Sequence, residues 1–181
     1  MDKQVLKLNV GCGSRLLPGY INIDLYAPPS IPDDCEFRKG DARDLSWLLD
    51  ASVDEIHAEF ILEHFTLPEV LDMLYQFWRV LKKTGRLYIL VPDFGTISHT
   101  VLQSPSDLVI SFYAACYILN TFINDSCADS SSPHKSLWTK QSLEKALDLE
   151  GFEVEVMNNI GKWRWGLGCW ATKGIKLGEE E

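Results

Sequence analysis

Seven apolar segments of strand length recur along this chain of 181 residues, and their order constrains the fold more than any other feature. Helical periodicity separates the later segments, whereas only short stretches separate the first three. Strands that alternate with helices predict an α/β domain with a mostly parallel sheet. The predicted strands are Val5–Val10, Tyr20–Leu25, Glu36–Gly40, Val53–Phe60, Gly85–Val91, Phe152–Met157 and about Gly166–Ile175.

Two helices are predicted from periodicity and capping residues. Thr66 with Glu69 forms a capping box at the start of the first, and Lys82, Lys83 and Gly85 mark its end. The second runs over about Lys140–Glu150, with Thr139 as N-cap and Gly151 as the stop signal. The apolar stripe of the first helix contains Val70, Leu71, Leu74, Phe77, Trp78 and Leu81.

The connectors between the first three predicted strands are too short for full helices. They are Ser14–Gly19 and Ala27–Cys35, and the second contains three prolines. Parallel strands normally need a crossover of about a dozen residues or more, so these early crossovers are truncated and part of one sheet face lacks a helix. An apolar helix at Leu108–Ile123 or a second subunit would cover that face, and we expect a homodimer.

Composition narrows the class of protein. A length of 181 residues with 46% hydrophobic residues fits one domain, residues 1–181, in which residues 94–133 form an insertion on the acceptor or interface side. The net charge of −9, without a basic run, disfavours a nucleic-acid partner. The five cysteines have no metal-ligand spacing, and Leu108–Ile123 is shorter than a membrane span. With no secretory leader before Val5, we expect a cytoplasmic protein.

The stretch Leu8–Gly13, Leu-Asn-Val-Gly-Cys-Gly, ends the first predicted strand in two glycines. Glycines there allow close backbone approach to a ligand, and Asp24, which ends the next strand, can accept hydrogen bonds from both ribose hydroxyls. Asp41 and Glu59 follow at the ends of the third and fourth strands. Carboxylates at one sheet edge favour a phosphate-free, positively charged adenosine derivative, and S-adenosylmethionine has this chemistry.

These segments together resemble class I S-adenosylmethionine-dependent methyltransferases, in particular short, type-11-like members found with bacterial surface-polysaccharide genes. The resemblance rests on Leu-Asn-Val-Gly-Cys-Gly, Asn-Ile-Asp-Leu, Gly-Asp-Ala-Arg-Asp-Leu, Leu-Glu-His-Phe and the segment from Phe77 to Asp93, in that order. It covers Leu6 to Asp93 closely and resumes from His134 to Val156. It implies a Rossmann-like sheet, mostly parallel with the last strand antiparallel.

The resemblance also implies a cofactor site. The backbone of Gly11, Cys12 and Gly13 would run past the methionyl part of the cofactor, and Asp24 would bind the ribose. Asp41 with the Ala42 amide would hold the adenine. Glu59 with Phe60 would close the site. The full predicted set of cofactor-binding residues is Asn9, Gly11, Cys12, Gly13, Asp24, Leu25, Gly40, Asp41, Ala42, Glu59 and Phe60.

His64 and His134 are the candidate catalytic residues, because an imidazole near neutral pKa can take a proton from the methyl acceptor. Pocket-wall and structural roles for both histidines stay open, since methyl transfer can proceed by positioning alone. The four histidines show no metal-ligand spacing, so no metal is predicted.

The predicted reaction is methyl transfer to an oxygen or nitrogen of a small-molecule or glycan-like acceptor. A non-catalytic cofactor-binding or assembly subunit is the alternative, and a nucleic-acid methyltransferase is the second enzyme candidate. A nicotinamide-dependent oxidoreductase is disfavoured, because Leu16 stands where the dinucleotide fingerprint has its third glycine.

Overall fold

The seven predicted strands form one sheet in the structure, a computed structural model that describes residues 5–103, 134–159 and 166–174. The strand order is β3-β2-β1-β4-β5-β7-β6. Strands β1 to β5 are parallel to one another, and β7 is antiparallel to both β5 and β6. The expected mostly parallel sheet with an antiparallel last strand is therefore confirmed. The strands are β1 Lys7–Val10, β2 Ile21–Asp24, β3 Glu36–Lys39, β4 Val53–Glu59, β5 Leu81–Pro92, β6 Phe152–Asn159 and β7 Gly166–Lys173.

Three α-helices and one short 3-10 helix accompany the sheet in the described part of the chain. They are the 3-10 helix Leu62–His64, α1 Leu67–Val80, α2 Phe94–Gln103 and α3 Lys140–Leu149. The apolar sides of α1 and α3 share one buried cluster with alternate residues of the strands, among them Leu8, Ile56 and Leu87. This cluster is the core, and it holds the carboxyl ends of the strands in place.

The start of α1 agrees with the prediction, but its end does not. Thr66 and Glu69 form the expected capping box. The helix ends at Val80, and Leu81 already has the extended conformation of β5. The prediction that Gly85 stops the helix is therefore wrong. Gly85 lies in an irregular part of β5, where an added Cβ would stand 2.8 Å from Leu81 Cδ2 and 3.0 Å from the Lys82 carbonyl oxygen.

The first two connectors contain no helix, as their lengths predict. The sheet face opposite the core carries Tyr20, His57, Tyr88 and Trp170, all partly exposed. The His57 ring lies 4.9–5.5 Å from the centroids of the three other rings. This face is thus aromatic and half-buried. The helix predicted at Leu108–Ile123 lies outside the described residues.

Residues 134–139 lie along the carboxyl edge of the sheet. The amides of Lys135 and Ser136 donate to the Glu63 carbonyl at 2.7 and 3.1 Å, and Phe94 N donates to the Trp138 carbonyl at 2.8 Å. This segment therefore connects the end of β4 with the start of α2. None of the described helices is long and apolar enough to cross a membrane.

Candidate functional site

The glycine loop after β1 is shaped by two left-handed residues. Gly11 has φ +66° and Gly13 has φ +50°. The amides of Gly11 and Cys12 both donate to the Ile23 carbonyl, at 2.8 and 3.1 Å, so the loop turns against the end of β2. A Cβ on Gly11 would meet the Ile61 side chain at 2.4–2.8 Å, whereas one on Gly13 would have nothing within 4 Å. The Ile61 side chain therefore leaves no room for a Cβ at position 11, whereas Gly13 has open space beside its backbone.

Asp24 is joined to this loop. Its Oδ2 accepts a hydrogen bond from Gly13 N at 2.8 Å, and its Oδ1 accepts one from Tyr26 N at 3.0 Å. The parallel register aligns Val10 with Ile23, which brings Asp24 beside the first residues of the loop. The carboxylate predicted to hold ribose therefore lies at the same edge as the glycines.

Asn9 supports the loop from within the sheet. Its Nδ2 donates to the Arg15 carbonyl at 2.8 Å and to Asn22 Oδ1 at 2.7 Å, and Asn22 is fully buried. Asn22 in turn bonds both backbone groups of Leu17. These two amides fix the connector between β1 and β2 without a helix. Asn9 is thus placed beneath the loop, where it positions the backbone of the predicted site.

Asp41 follows the end of β3, and its carboxylate accepts hydrogen bonds from the Arg43 side chain. The guanidinium donates from Nε to Oδ1 at 3.0 Å and from Nη2 to Oδ2 at 2.7 Å, a bidentate arrangement. These hydrogen bonds lower the pKa of Asp41. Arg43 also reaches Glu69 of α1 at 2.6 Å. Asp41 is thereby held in a fixed orientation, next to Gly40 and the buried Ala42.

Glu59, at the end of β4, forms an ion pair with Arg15 from the connector after the glycine loop. The Arg15 side chain is 61% exposed and the Glu59 side chain only 13%. Sequence reasoning singled out Glu59 but missed Arg15, although it follows Gly13 by two positions. The pair places an exposed positive charge and a mostly buried negative charge at the same edge.

The backbone turns sharply after Glu59. Phe60 has φ +52°, a conformation that costs an ordinary residue about 1–2 kcal/mol. Its amide donates to the Leu90 carbonyl at 2.7 Å, so β5 holds the strained residue in place. Strain of this kind is frequent at functional sites. Leu25, the remaining predicted contact residue, is 44% exposed beside Asp24.

The two candidate catalytic histidines, 70 positions apart in the sequence, come together in the structure. The ring centroids of His64 and His134 are 5.0 Å apart. Glu63 lies with them, and its Oε1 is 4.0 Å from His134 Nε2. Glu63 is 1% exposed, and burial raises the pKa of its carboxyl to about 8. Sequence reasoning did not assign Glu63 a role in the site. The one signal in the sequence that could have revealed it is its position directly before His64.

Cys12 does not have the environment of a nucleophile. It is 5% exposed, and burial, with a smaller effect from Asp24, raises the pKa of the thiol to about 12. A thiolate is the reactive form, so this cysteine stays a neutral wall residue of the loop. Cys12, Cys35 and Cys169, the cysteines among the described residues, are all free thiols.

Sequence comparison points to one family over the first half of the chain. Residues 8–89 match the sequence model of a family described as methyltransferase domain. This range runs from β1 into β5 and contains every predicted cofactor-binding residue. No curated protein matches the chain.

Solved structures of similar fold include several methyltransferases. A S-adenosylmethionine-dependent methyltransferase from Methanosarcina mazei has a TM-score of 0.65 and 18% identity, covering 96% of this chain and 95% of its own. The 1,6-didemethyltoxoflavin-N1-methyltransferase of Burkholderia thailandensis, solved with S-adenosylhomocysteine, has a TM-score of 0.64 and 14% identity, covering 96% and 72%. Magnesium protoporphyrin IX methyltransferase from Synechocystis, also with S-adenosylhomocysteine, has a TM-score of 0.58 and 14% identity, covering 94% and 74%.

The chain therefore has the Rossmann-like fold of these methyltransferases, and its residues 8–89 match the sequence model of a methyltransferase domain.

Proposed function

We propose that this protein binds S-adenosylmethionine and transfers its methyl group to an oxygen or nitrogen of a small-molecule or glycan-like acceptor. The observation that carries the proposal is the hydrogen bond between the Asp24 carboxylate and Gly13 N at the end of β1 and β2. It ties an acceptor for ribose hydroxyls to a loop that a ligand can approach closely. The match over residues 8–89 supports the same class of enzyme.

The chemistry of the donor set fits this cofactor. Asp24, Asp41 and Glu59 place carboxylates along the edge. Arg43 and Arg15 neutralise Asp41 and Glu59, so Asp24 supplies the negative charge that would repel a phosphate and favour a cation. Asp24 would accept hydrogen bonds from ribose, while Asp41 and the Ala42 amide would hold the adenine, with Leu25 and Gly40 beside them. Arg15 and Glu59 carry charges complementary to the carboxylate and ammonium of the methionyl part.

The bound cofactor supplies an electrophilic methyl on sulfonium, which an acceptor heteroatom attacks in line as the carbon–sulfur bond breaks. In the proposed reaction, this chain holds the cofactor, orients the acceptor and receives its proton. His64 or His134 would take the proton, because an imidazole can accept one near neutral pH and the two rings lie together, next to the buried Glu63 and after the end of β4. S-adenosylhomocysteine is the product.

Calorimetric titration with S-adenosylhomocysteine and, separately, with NAD tests the cofactor assignment. We expect saturable binding of S-adenosylhomocysteine and none of NAD. Binding of NAD alone would overturn the proposal in favour of an oxidoreductase.

The acceptor class is tested with methyl-labelled S-adenosylmethionine and two acceptor pools, a low-molecular-weight metabolite fraction and total RNA. The net charge of −9 favours label in the metabolite fraction. Label in RNA would overturn the proposed acceptor class. Cofactor binding without label in either pool would favour the non-catalytic alternative.

A further inference from the structure

We propose that Glu63, His64 and His134 form a binding site for a divalent first-row transition metal, with Zn²⁺ as the best-matched ion. The sequence contains no metal-ligand spacing, because the third ligand lies 70 positions from the second. Folding supplies the site instead, and the inference goes beyond the proposed methyl transfer.

The distances among the donor atoms are close to those of a metal site. One ligand atom from each residue lies within 4.8 Å of the others, and Glu63 Oε1 is 4.0 Å from His134 Nε2. Two ligands of a tetrahedral Zn²⁺ ion, at about 2.0–2.2 Å each, lie about 3.3–3.6 Å apart. Glu63 Oε1 and His134 Nε2 need to close by about half an ångström and no pair by more than about 1.5 Å, which rotation of the side chains can supply.

The buried carboxylate gives independent evidence for a ligand. Glu63 is 1% exposed, and its Oε2 has no hydrogen-bond partner among the described residues. A buried polar atom without a partner costs about 1–3 kcal/mol. A bound cation would satisfy this oxygen, and no backbone or side-chain donor in the described part of the chain does so.

Backbone hydrogen bonds hold the third ligand beside the first two. The Glu63 carbonyl accepts from the amides of Lys135 and Ser136, and Ser136 Oγ donates to the Leu62 carbonyl at 3.3 Å. Residue 134 is thereby fixed against the 3-10 helix that carries Glu63 and His64. A preformed ligand set of this kind loses little entropy when the metal binds.

The donor types select the class of metal. Two imidazoles and one carboxylate suit Zn²⁺, Co²⁺ or Fe²⁺, whereas Mg²⁺ and Ca²⁺ prefer oxygen ligands. Three protein ligands leave a fourth position open, as in zinc sites that take part in reactions. If the proposed function holds, on which this clause rests, an oxygen or nitrogen of the acceptor would occupy that position. The metal would then lower the pKa of the acceptor group, and His64 and His134 would act as ligands in place of the proton-accepting role given to them above.

Co²⁺ is a suitable probe because its visible absorption reports its coordination. The full-length protein, freed of metal with a chelator, is titrated with Co²⁺ by absorption and with Zn²⁺ by calorimetry. We expect one ion per chain for the unaltered protein. Glu63→Gln, which keeps the side-chain shape, and His134→Ala should each weaken binding at least tenfold.

Matched controls exclude general effects of losing a histidine or a carboxylate. His99→Ala on α2 and Glu144→Gln on α3 alter exposed residues, and both should bind metal as the unaltered protein does. Circular dichroism checks that each variant is folded. If His134→Ala does not fold, Glu63→Gln still tests the proposal. Absence of stoichiometric binding, or binding that Glu63→Gln leaves unchanged, would overturn the proposal.

Titration of the same metal-free protein with S-adenosylhomocysteine separates this inference from the proposed function. Cofactor binding without metal binding would overturn only the metal site. Metal binding without cofactor binding would leave the metal site standing and overturn the methyltransferase proposal.

Discussion

Gly11 is the residue on which the shape of the site depends most. Its left-handed φ of +66° would cost an alanine about 1–2 kcal/mol, and the contact with Ile61 at 2.4–2.8 Å adds overpacking, typically about 1–3 kcal/mol. We therefore expect Gly11→Ala to lower the free energy of unfolding by about 2–5 kcal/mol, measured by urea denaturation.

Gly19→Ala is the matched control for this change. Gly19 has φ +78° but nothing within 4 Å of an added Cβ, so only the backbone strain of about 1–2 kcal/mol applies. Equal losses in the two variants would show that the contact between the glycine loop and Ile61 has no energetic weight.

His57 gives the aromatic sheet face a pH dependence. Burial lowers its pKa below the ordinary value of 6.5, although Glu55 opposes this. As pH falls through about 6.5, the unfolded chain therefore binds a proton that folded His57 does not, and stability is lost. We expect the stability difference between the unaltered protein and His57→Gln to shrink between pH 7.5 and 5.5 in urea titrations. A difference that stays constant over this range would contradict the assignment.

The predicted acids lie where the strand pattern put them, because parallel strands end at one edge. Their partners were not predictable from local sequence. Arg15 pairs with Glu59 across 44 positions, and His134 meets Glu63 across 71. Such pairs are created by the order of strands in the sheet, which no short stretch of sequence contains.

At the scale of elements, the capping box of α1 stabilises the start of this helix through two residues three positions apart. Thr66→Ala removes the side chain that takes part in it, and we expect a loss of about 1 kcal/mol in the free energy of unfolding. Thr66→Ser keeps the hydroxyl and is expected to stay within a few tenths of a kcal/mol of the unaltered protein. If both variants lost the same stability, the hydroxyl would not be the cause.

The two ends of α1 show why element boundaries differ in predictability. The start depends on Thr66 and Glu69, which are three positions apart. The end depends on pairing with a distant segment, since Ala51 N and Ser52 N donate to the carbonyls of Arg79 and Val80. These bonds and the pairing of Leu81 with Val53 draw the chain into β5 before the lysines and glycine that looked like a helix end.

At the scale of the whole molecule, the truncated connectors leave a half-buried aromatic face. Tyr88 and Trp170 lie on it, away from α1 and α3. We expect a second copy of the chain to cover this face, giving twice the 20.5 kDa of one chain in light scattering. Tyr88→Glu should shift the protein toward the monomer, while Tyr75→Glu on the exposed side of α1 should not. A monomer for the unaltered protein would contradict the expectation.

The central claim is that the edge formed by the glycine loop and Asp24 binds the nucleoside part of S-adenosylmethionine. Calorimetry with S-adenosylhomocysteine on Asp24→Asn and on Asp33→Asn, an exposed aspartate of the next connector, tests it most directly. Losing a hydrogen bond to a charged group typically costs about 1.5–3 kcal/mol, so Asp24→Asn should weaken binding about 10- to 100-fold and Asp33→Asn should not. Equal affinity in all three proteins would contradict the account.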